Sequence, residues 1–333
     1  MEYRELGRTG LRISRIGFGG IPIQRVEEAD CAPLFDALES AGINYIDTAR
    51  GYTVSEARIG AALQGRREKF ILATKSMART AEAMAADVEE SLRCLRTDHI
   101  DLYQIHNPNL AQLEEVCAPG GALEALLAAK AAGKIGHIGV TLHSVEAFRA
   151  ALDKGCFETV MFPYNIVERQ GAALIDECRE KGVGFICMKP LAGGAIEKGS
   201  LALRFILQND SVDCIIPGMA TEAEVAENAA VTGEPLTGAE QAEVSRIAGE
   251  LGTHFCRRCG YCAPCTAGIN ISGAFLFHGY LTRYGLEDWA RSRYAAMGTT
   301  ASVCVDCGAC ESRCPYNLPI REMLRECAAA FGK

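Results

Sequence analysis

The sequence predicts an α/β protein in which residues 1–235 form a (β/α)8 barrel, residues 236–253 a linker helix, and residues 254–333 a small, mainly helical domain rich in cysteine. Two observations carry this expectation. From residue 14 onward, short β-branched or aromatic runs alternate with longer amphipathic ones through eight units, as repeated βα units around a parallel sheet would. Beyond residue 253 that pattern stops, and eight cysteines fall in two tight runs, CRRCGYCAPC at 256–265 and CVDCGACESRC at 304–314. The 333 residues accommodate one TIM barrel of about 250 residues with a small appendage.

Each element has its own signal. The leading segment EYRELGRTGLRIS carries the glycine-rich turn of a hairpin that could cover the barrel floor. The strand candidates are SRIGF, INYID, FILAT, IDLYQI, HIGV, TVMF, GFICM and CIIPG, with helical stretches such as EEADCAPLFDALESAG and SEARIGAALQG between them. An open doubly wound sheet would place G-x-G-x-x-G after its first strand, and GFGGIPIQ lacks it. Thr237 and Glu240 stand at capping-box spacing before QAEVSRIAGEL, which starts the linker helix. Between the cysteine runs, GYLTRYGLEDWARSRYAAM reads as helix and holds the only tryptophan.

Composition narrows the function. Hydrophobic residues at 49% and charged residues at 23% suit a chain that buries a large core. A net charge of -8 argues against a nucleic-acid surface. The opening MEYRELGRTG lacks the apolar core of an export signal and no window reaches bilayer length, so a cytoplasmic location without membrane contact is expected. In that reducing compartment the C-x-x-C runs read as metal ligands rather than disulfides, and Cys31, Cys94, Cys117, Cys156, Cys178, Cys187, Cys214 and Cys327 as buried thiols.

Barrel enzymes place their chemistry at the C-terminal ends of strands. Here the second strand ends at Asp47 with Tyr52 five residues on, the third at Lys75 and the fourth at His106. Singly, Asp47 reads as a turn cap, Lys75 as a solvated ammonium, His106 as a bonded core histidine and Tyr52 as packing. Four polar groups on three consecutive strand ends point instead to chemistry. An ammonium beside a phenol favours phenolate, which makes Tyr52 a better proton donor to a carbonyl oxygen; Lys75 would supply that charge, Asp47 would hold Lys75, and His106 would orient the carbonyl.

The motifs GRTGLRISRIGFGG, IDTARGYTVSE, ILATKS, IDLYQIHNP, KIGHIGVTLHS, MKPLAGG and IIPGMATEAEVAEN resemble those of the aldo/keto reductases over residues 1 to about 235. The resemblance implies a (β/α)8 oxidoreductase that interconverts a carbonyl and an alcohol, with Asp47, Tyr52, Lys75 and His106 as the catalytic set. It also implies a nicotinamide cofactor, NADPH or NADH, across the barrel mouth, with Asp47, Thr141, Met188, Pro190, Leu191, Gly218, Glu227 and Asn228 as the positions that face it. Several of these depart from the family pattern. The usual Ser-Asn pair reads Thr141-Leu142, the usual Gln is Met161, and the stacking tyrosine is Met188. The Lys and Arg that many members aim at the adenosine 2′-phosphate fall on Gly218 and Glu224. Nicotinamide with altered contacts, a flavin in the same phosphate site, and loss of dinucleotide binding all stay open, and backbone N–H groups at the helix start in GMATEAEVAEN could hold a phosphate.

The second cysteine run, C-x2-C-x2-C-x3-C-P, has the spacing of bacterial 4Fe-4S ferredoxins; the first is one residue tighter and has Thr266 in place of the proline. By ferredoxin logic the fourth cysteine of each run crosses over, so Cys256, Cys259, Cys262 and Cys314 would hold one cluster and Cys304, Cys307, Cys310 and Cys265 the other. Zinc is the alternative. The helical spacer resembles an α-helical ferredoxin-type module, and a branch of the aldo/keto reductases carries such a tail. The expected partners are a small carbonyl substrate and a redox partner protein. An electron-transfer adaptor built on an idle barrel, or a ligand-sensing barrel, would be the alternatives to an enzyme.

Overall fold

The computed structural model describes residues 1–258 and 260–332; Cys259 lies outside the described residues. The chain forms two compact units, one of residues 1–165, 169–190 and 198–235, the other of residues 166–168, 191–197 and 236–333.

In the first unit, β1 (Tyr3–Glu5) and β2 (Arg12–Ser14) make the antiparallel hairpin that precedes the barrel. Eight parallel strands follow in chain order: β3 (Phe18–Gly19), β4 (Tyr45–Asp47), β5 (Ile71–Ser76), β6 (Ile100–His106), β7 (Ile135–Thr141), β8 (Thr159–Pro163), β9 (Gly184–Met188) and β10 (Cys214–Ile216). Bridges from Ile16 to Ile215 and from Gly19 to Gly218 bring the last strand beside the first. The eight candidate strands of the sequence thus form one sheet.

Alternation along each strand sorts the core into two layers. Phe18, Ile46, Leu72, Tyr103, Ile138, Val160, Phe162 and Ile215 belong to the apolar layer shared with the helices. Tyr45, Ala73, Leu102, Met161, Ile186 and Cys214 belong to the inner cluster, which Leu6 and Ile13 of the hairpin complete. Gly7 makes this closure tight: at φ +54, a Cβ there would lie 2.3 Å from the Gly184 amide nitrogen. The helices of this unit are α1 (Glu28–Ser40), α2 (Ser55–Ala62), α3 (Ala81–Leu95), α4 (Leu110–Cys117), α5 (Ala122–Ala131), α6 (Val145–Lys154), α7 (Ala172–Lys181), α8 (Gly199–Leu207) and α9 (Glu222–Ala229).

The second unit contains α10 (Gly238–Gly252), α11 (Ile271–Thr282), α12 (Glu287–Ala295), the short α13 (Ala309–Ser312) and α14 (Ile320–Phe331). The capping box of α10 forms as its sequence predicts, with Glu240 accepting from the Thr237 amide at 2.8 Å. Ile271, Ala274, Phe275, Leu324, Cys327 and Phe331 build the small core between α11 and α14, where Tyr294 stacks on Phe331 at 3.9 Å. Among the described residues no helix is long and apolar enough to cross a membrane.

Candidate active site

Asp47 and His106 end β4 and β6, Lys75 is the penultimate residue of β5 between them, and Asp47 and Lys75 are almost wholly buried. The Lys75 ammonium donates to Asp47 Oδ1 and, at 2.8 Å, to the Thr48 carbonyl. Desolvation, the largest effect on both, raises the Asp47 carboxyl and lowers the Lys75 ammonium; their mutual attraction opposes it in each case. We read the pair as ionised, because each charge is met by a second partner as well: Thr48 on the lysine, Gln104 on the aspartate.

Tyr52 lies in the loop between β4 and α2. Its amide bonds to the Ala49 carbonyl at 3.0 Å and its own carbonyl accepts from the Ser55 amide at 2.8 Å, which fixes the turn that carries it. The Lys75 Nζ lies 5.0 Å from the centre of the Tyr52 ring, and the His106 ring meets Tyr52 edge to face with centroids 6.1 Å apart. The four side chains singled out from sequence therefore converge at one end of the barrel. A proton donor, a cation and a second polar ring in contact form a set suited to proton transfer at a carbonyl oxygen.

Two supports were not identified from the sequence. Gln104 Nε2 donates to Asp47 Oδ2 at 3.0 Å, and buried Glu56 accepts from Thr74 at 2.7 Å and Ser91 at 2.9 Å while pairing with Arg50. Gln104 had a readable signal: it stands two residues before His106 on one strand, so both point to the same face. Glu56 had none, since its partners come from three different elements.

The positions expected to face a cofactor lie on several elements. Thr141 sits opposite His106 in the ladder and accepts from the Asn107 amide at 3.0 Å; Leu142 and Met161 are fully buried, and Met188 ends β9 in the inner cluster. Pro190 is buried just after it, and Leu191 follows in a segment of the second unit. Gly218 is exposed beside Pro22, Asn228 is buried on α9 and Glu227 is exposed. Thr141 thus keeps a hydroxyl, whereas Leu142, Met161 and Met188 are apolar.

In the second unit the described residues of the two cysteine runs share a pattern of positive φ. Positive φ occurs at Arg258 and Gly260 in the first and at Asp306 and Gly308 in the second, the same positions relative to Cys256 and Cys304. It recurs three residues after the fourth cysteine, at Gly268 and Asn317, before α11 and α14 begin. Cys256, Cys262 and Cys314, three of the four cysteines grouped from spacing, line one small cavity with Ile271, Phe275, Leu318 and Ile320. Thr266, next to Cys265, lies 3.1 Å from Cys307 Sγ; this bond and the Ala309 amide hold the Cys307 thiol below its usual range. Among the described residues no three Cys, His, Asp or Glu side chains come close enough to hold a single metal ion. The three thiols and the apolar lining of this cavity fit an iron–sulfur cluster.

Known proteins resemble this chain in both regions. L-galactose dehydrogenase of Arabidopsis thaliana is 28% identical over 74% of this chain and 93% of its own, and 6-dehydroglucose reductase of Novosphingobium aromaticivorans is 28% identical over 74% and 88%. The aldo-keto reductase AKR11C1 from Bacillus halodurans, in its holo form, superposes with a TM-score of 0.67 at 27% identity over 74% of this chain and 96% of its own. Residues 255–319 match a 4Fe-4S dicluster domain, and residues 15–200, more than half of the chain, match the aldo/keto reductase family. The chain belongs to the aldo/keto reductase family of oxidoreductases, with a 4Fe-4S dicluster domain following the barrel in sequence.

Proposed function

We propose that the barrel reduces a small aldehyde or ketone, or oxidises the corresponding alcohol, with Tyr52 as the proton donor and Lys75, Asp47 and His106 as its support. One observation carries this: a buried ammonium, held by Asp47 and the Thr48 carbonyl, lies 5.0 Å from the centre of the Tyr52 ring. A nicotinamide dinucleotide, when bound at the mouth, supplies the hydride. As negative charge grows on the carbonyl oxygen, Tyr52 gives up its hydroxyl proton and Lys75 stabilises the phenolate left behind. His106 donates to the same oxygen and sets its direction. The hydride and one proton together balance the reduction of the carbonyl to the alcohol.

Cys256, Cys259, Cys262 and Cys314 would hold one 4Fe-4S cluster, and Cys304, Cys307, Cys310 and Cys265 the other. When bound, such clusters supply one-electron transfer. The apolar replacements at Leu142, Met161 and Met188 favour a second function, in which a flavin at the mouth or a redox partner protein exchanges electrons with this tail.

Tyr52→Phe is the test. It should lower carbonyl reduction by about 10²–10⁴-fold while nucleotide binding persists. Unchanged turnover would overturn the assignment, and nucleotide binding without turnover in the wild type would favour the electron-transfer function.

A further inference from the structure

The first cysteine run contains two arginines to which neither the thiol grouping nor the barrel chemistry gives a role. Arg257 and Arg258 line the same small cavity as Cys256, Cys262 and Cys314. Arg257 is committed to its neighbours: Nε donates to the Val167 carbonyl at 3.2 Å, and the guanidinium lies 3.9 Å from the centre of the Tyr316 ring. Arg258 is less fully engaged. Its side chain is only 11% exposed, and its buried Nη2 makes no hydrogen bond among the described residues. The acid that faces it, Glu168, is fully buried, with Oε1 at 3.6 Å, longer than the roughly 2.7–2.9 Å of a charged hydrogen bond.

A guanidinium with a spare donor in a dry cavity is costly unless something anionic meets it. The backbone adds to that cost, because Arg258 has φ +57, the left-handed region that glycine, asparagine and aspartate adopt most readily. The second run has the easier arrangement at the matching position: Asp306, φ +58, is exposed and pairs with Arg325 at 3.1 Å. A 4Fe-4S cluster on four thiolates is an anion of the kind Arg258 lacks, and it gains one more negative charge when it takes up an electron. Its potential follows net charge and hydrogen bonds to the sulfurs, the two things a buried guanidinium supplies.

We propose that Arg258 and Glu168 form an opposed charge pair that sets the reduction potential of the cluster held by Cys256, Cys259, Cys262 and Cys314. Arg258 favours the reduced state, and Glu168 holds the guanidinium at the cavity while partly offsetting its charge. The inference rests on the cluster assignment proposed above. Glu168 belongs to the connection between β8 and α7, so a stretch of chain that leaves a barrel strand contributes to the electron affinity of the tail.

The test is a potentiometric titration of the full chain, loaded anaerobically with iron and sulfide, reduced stepwise with dithionite and followed by electron paramagnetic resonance. Cys314→Ser removes a ligand of the first site and identifies the signal of that site by its loss. Arg258→Gln takes away the charge and keeps an N–H donor. It should lower the potential of that signal by at least about 59 mV, a tenfold change in the one-electron equilibrium, and leave the other signal within about threefold. Glu168→Gln should raise the potential of the same signal. A purely structural role would reduce cluster content or melting temperature without moving the potential in opposite directions in the two variants. Unmoved potentials, shifts of one sign in both variants, or equal shifts of both signals would each overturn the proposal. If Arg258→Gln fails to load, Arg258→Lys should restore the cluster at a potential within about threefold of the wild type, and the direction of the Glu168→Gln shift then decides. A wild type that takes up zinc, or no metal, in place of iron and sulfide overturns the cluster assignment and this proposal together; a loaded wild type whose potentials neither variant moves overturns this proposal alone.

Discussion

Gln104 Nε2 donates to Asp47 Oδ2 at 3.0 Å, on the carboxylate oxygen that Lys75 does not take. The bond favours the ionised carboxylate against the desolvation that raises it. Gln104→Leu removes it, so the Asp47 pKa rises further and Lys75 loses its anchor at a higher pH than before. The acidic limb of the kcat profile should move upward, with a loss of about 10-fold at neutral pH, one charged hydrogen bond being worth roughly 1.5–3 kcal/mol. A pH–rate profile of the variant checks it.

Lys75→Met leaves Asp47 buried without its counter-charge. Stability should fall by about 3–5 kcal/mol, whereas Asp47→Asn combined with Lys75→Met should recover most of that loss and none of the turnover. Thermal or urea melts beside single-turnover assays separate the two effects. Equal recovery of activity would show that the ammonium serves structure alone.

Burial lowers the Lys75 ammonium below the 10.5 usual for lysine. The charged form is present below the lowered pKa and lost as pH rises through it. Carbonyl reduction should therefore decline on the alkaline side sooner than titration of a free lysine would give, and the decline should be visible in kcat at saturating substrate.

The crossed cysteine grouping predicts a pattern in double variants. Cys314→Ser should lower iron and sulfide content by about half, and Cys256→Ser added to it should remove little more, since both serve one cluster. Cys304→Ser added to Cys314→Ser should empty both sites. Anaerobic iron and sulfide analysis with electron paramagnetic resonance distinguishes these outcomes; the opposite pairing would show that each run holds its own cluster.

Gly7→Ala would place a methyl group 2.3 Å from the Gly184 amide nitrogen and force a non-glycine residue to φ +54. The hairpin would lift from the floor of the barrel at a cost of about 2–3 kcal/mol. The melting temperature should fall by several degrees while kcat per folded molecule is kept.

The sequence made the barrel legible because each strand is a local event. TVMF and GFICM announce themselves by composition, and alternation places Lys75 and His106 at strand ends facing one way. It did not reveal what each side chain touches once the ring closes. Glu56 draws Thr74 from β5, Ser91 from α3 and Arg50 from its own loop, partners fixed by packing rather than spacing. Glu224 shows the same gap. A helix start that reads as a phosphate cradle becomes a self-capped one only when the Glu224 oxygen is seen on the Ala220 and Thr221 amides.

The second unit is assembled from three stretches of chain, two of them short excursions at residues 166–168 and 191–197. Arg257 donates to the Val167 carbonyl at 3.2 Å and Arg283 to the Gly193 carbonyl at 3.0 Å, so the helical tail draws backbone acceptors from far upstream. A chain severed at residue 235 would leave both acceptors behind. The tail is therefore not a portable cassette: grafted behind another barrel it would lack its own sockets.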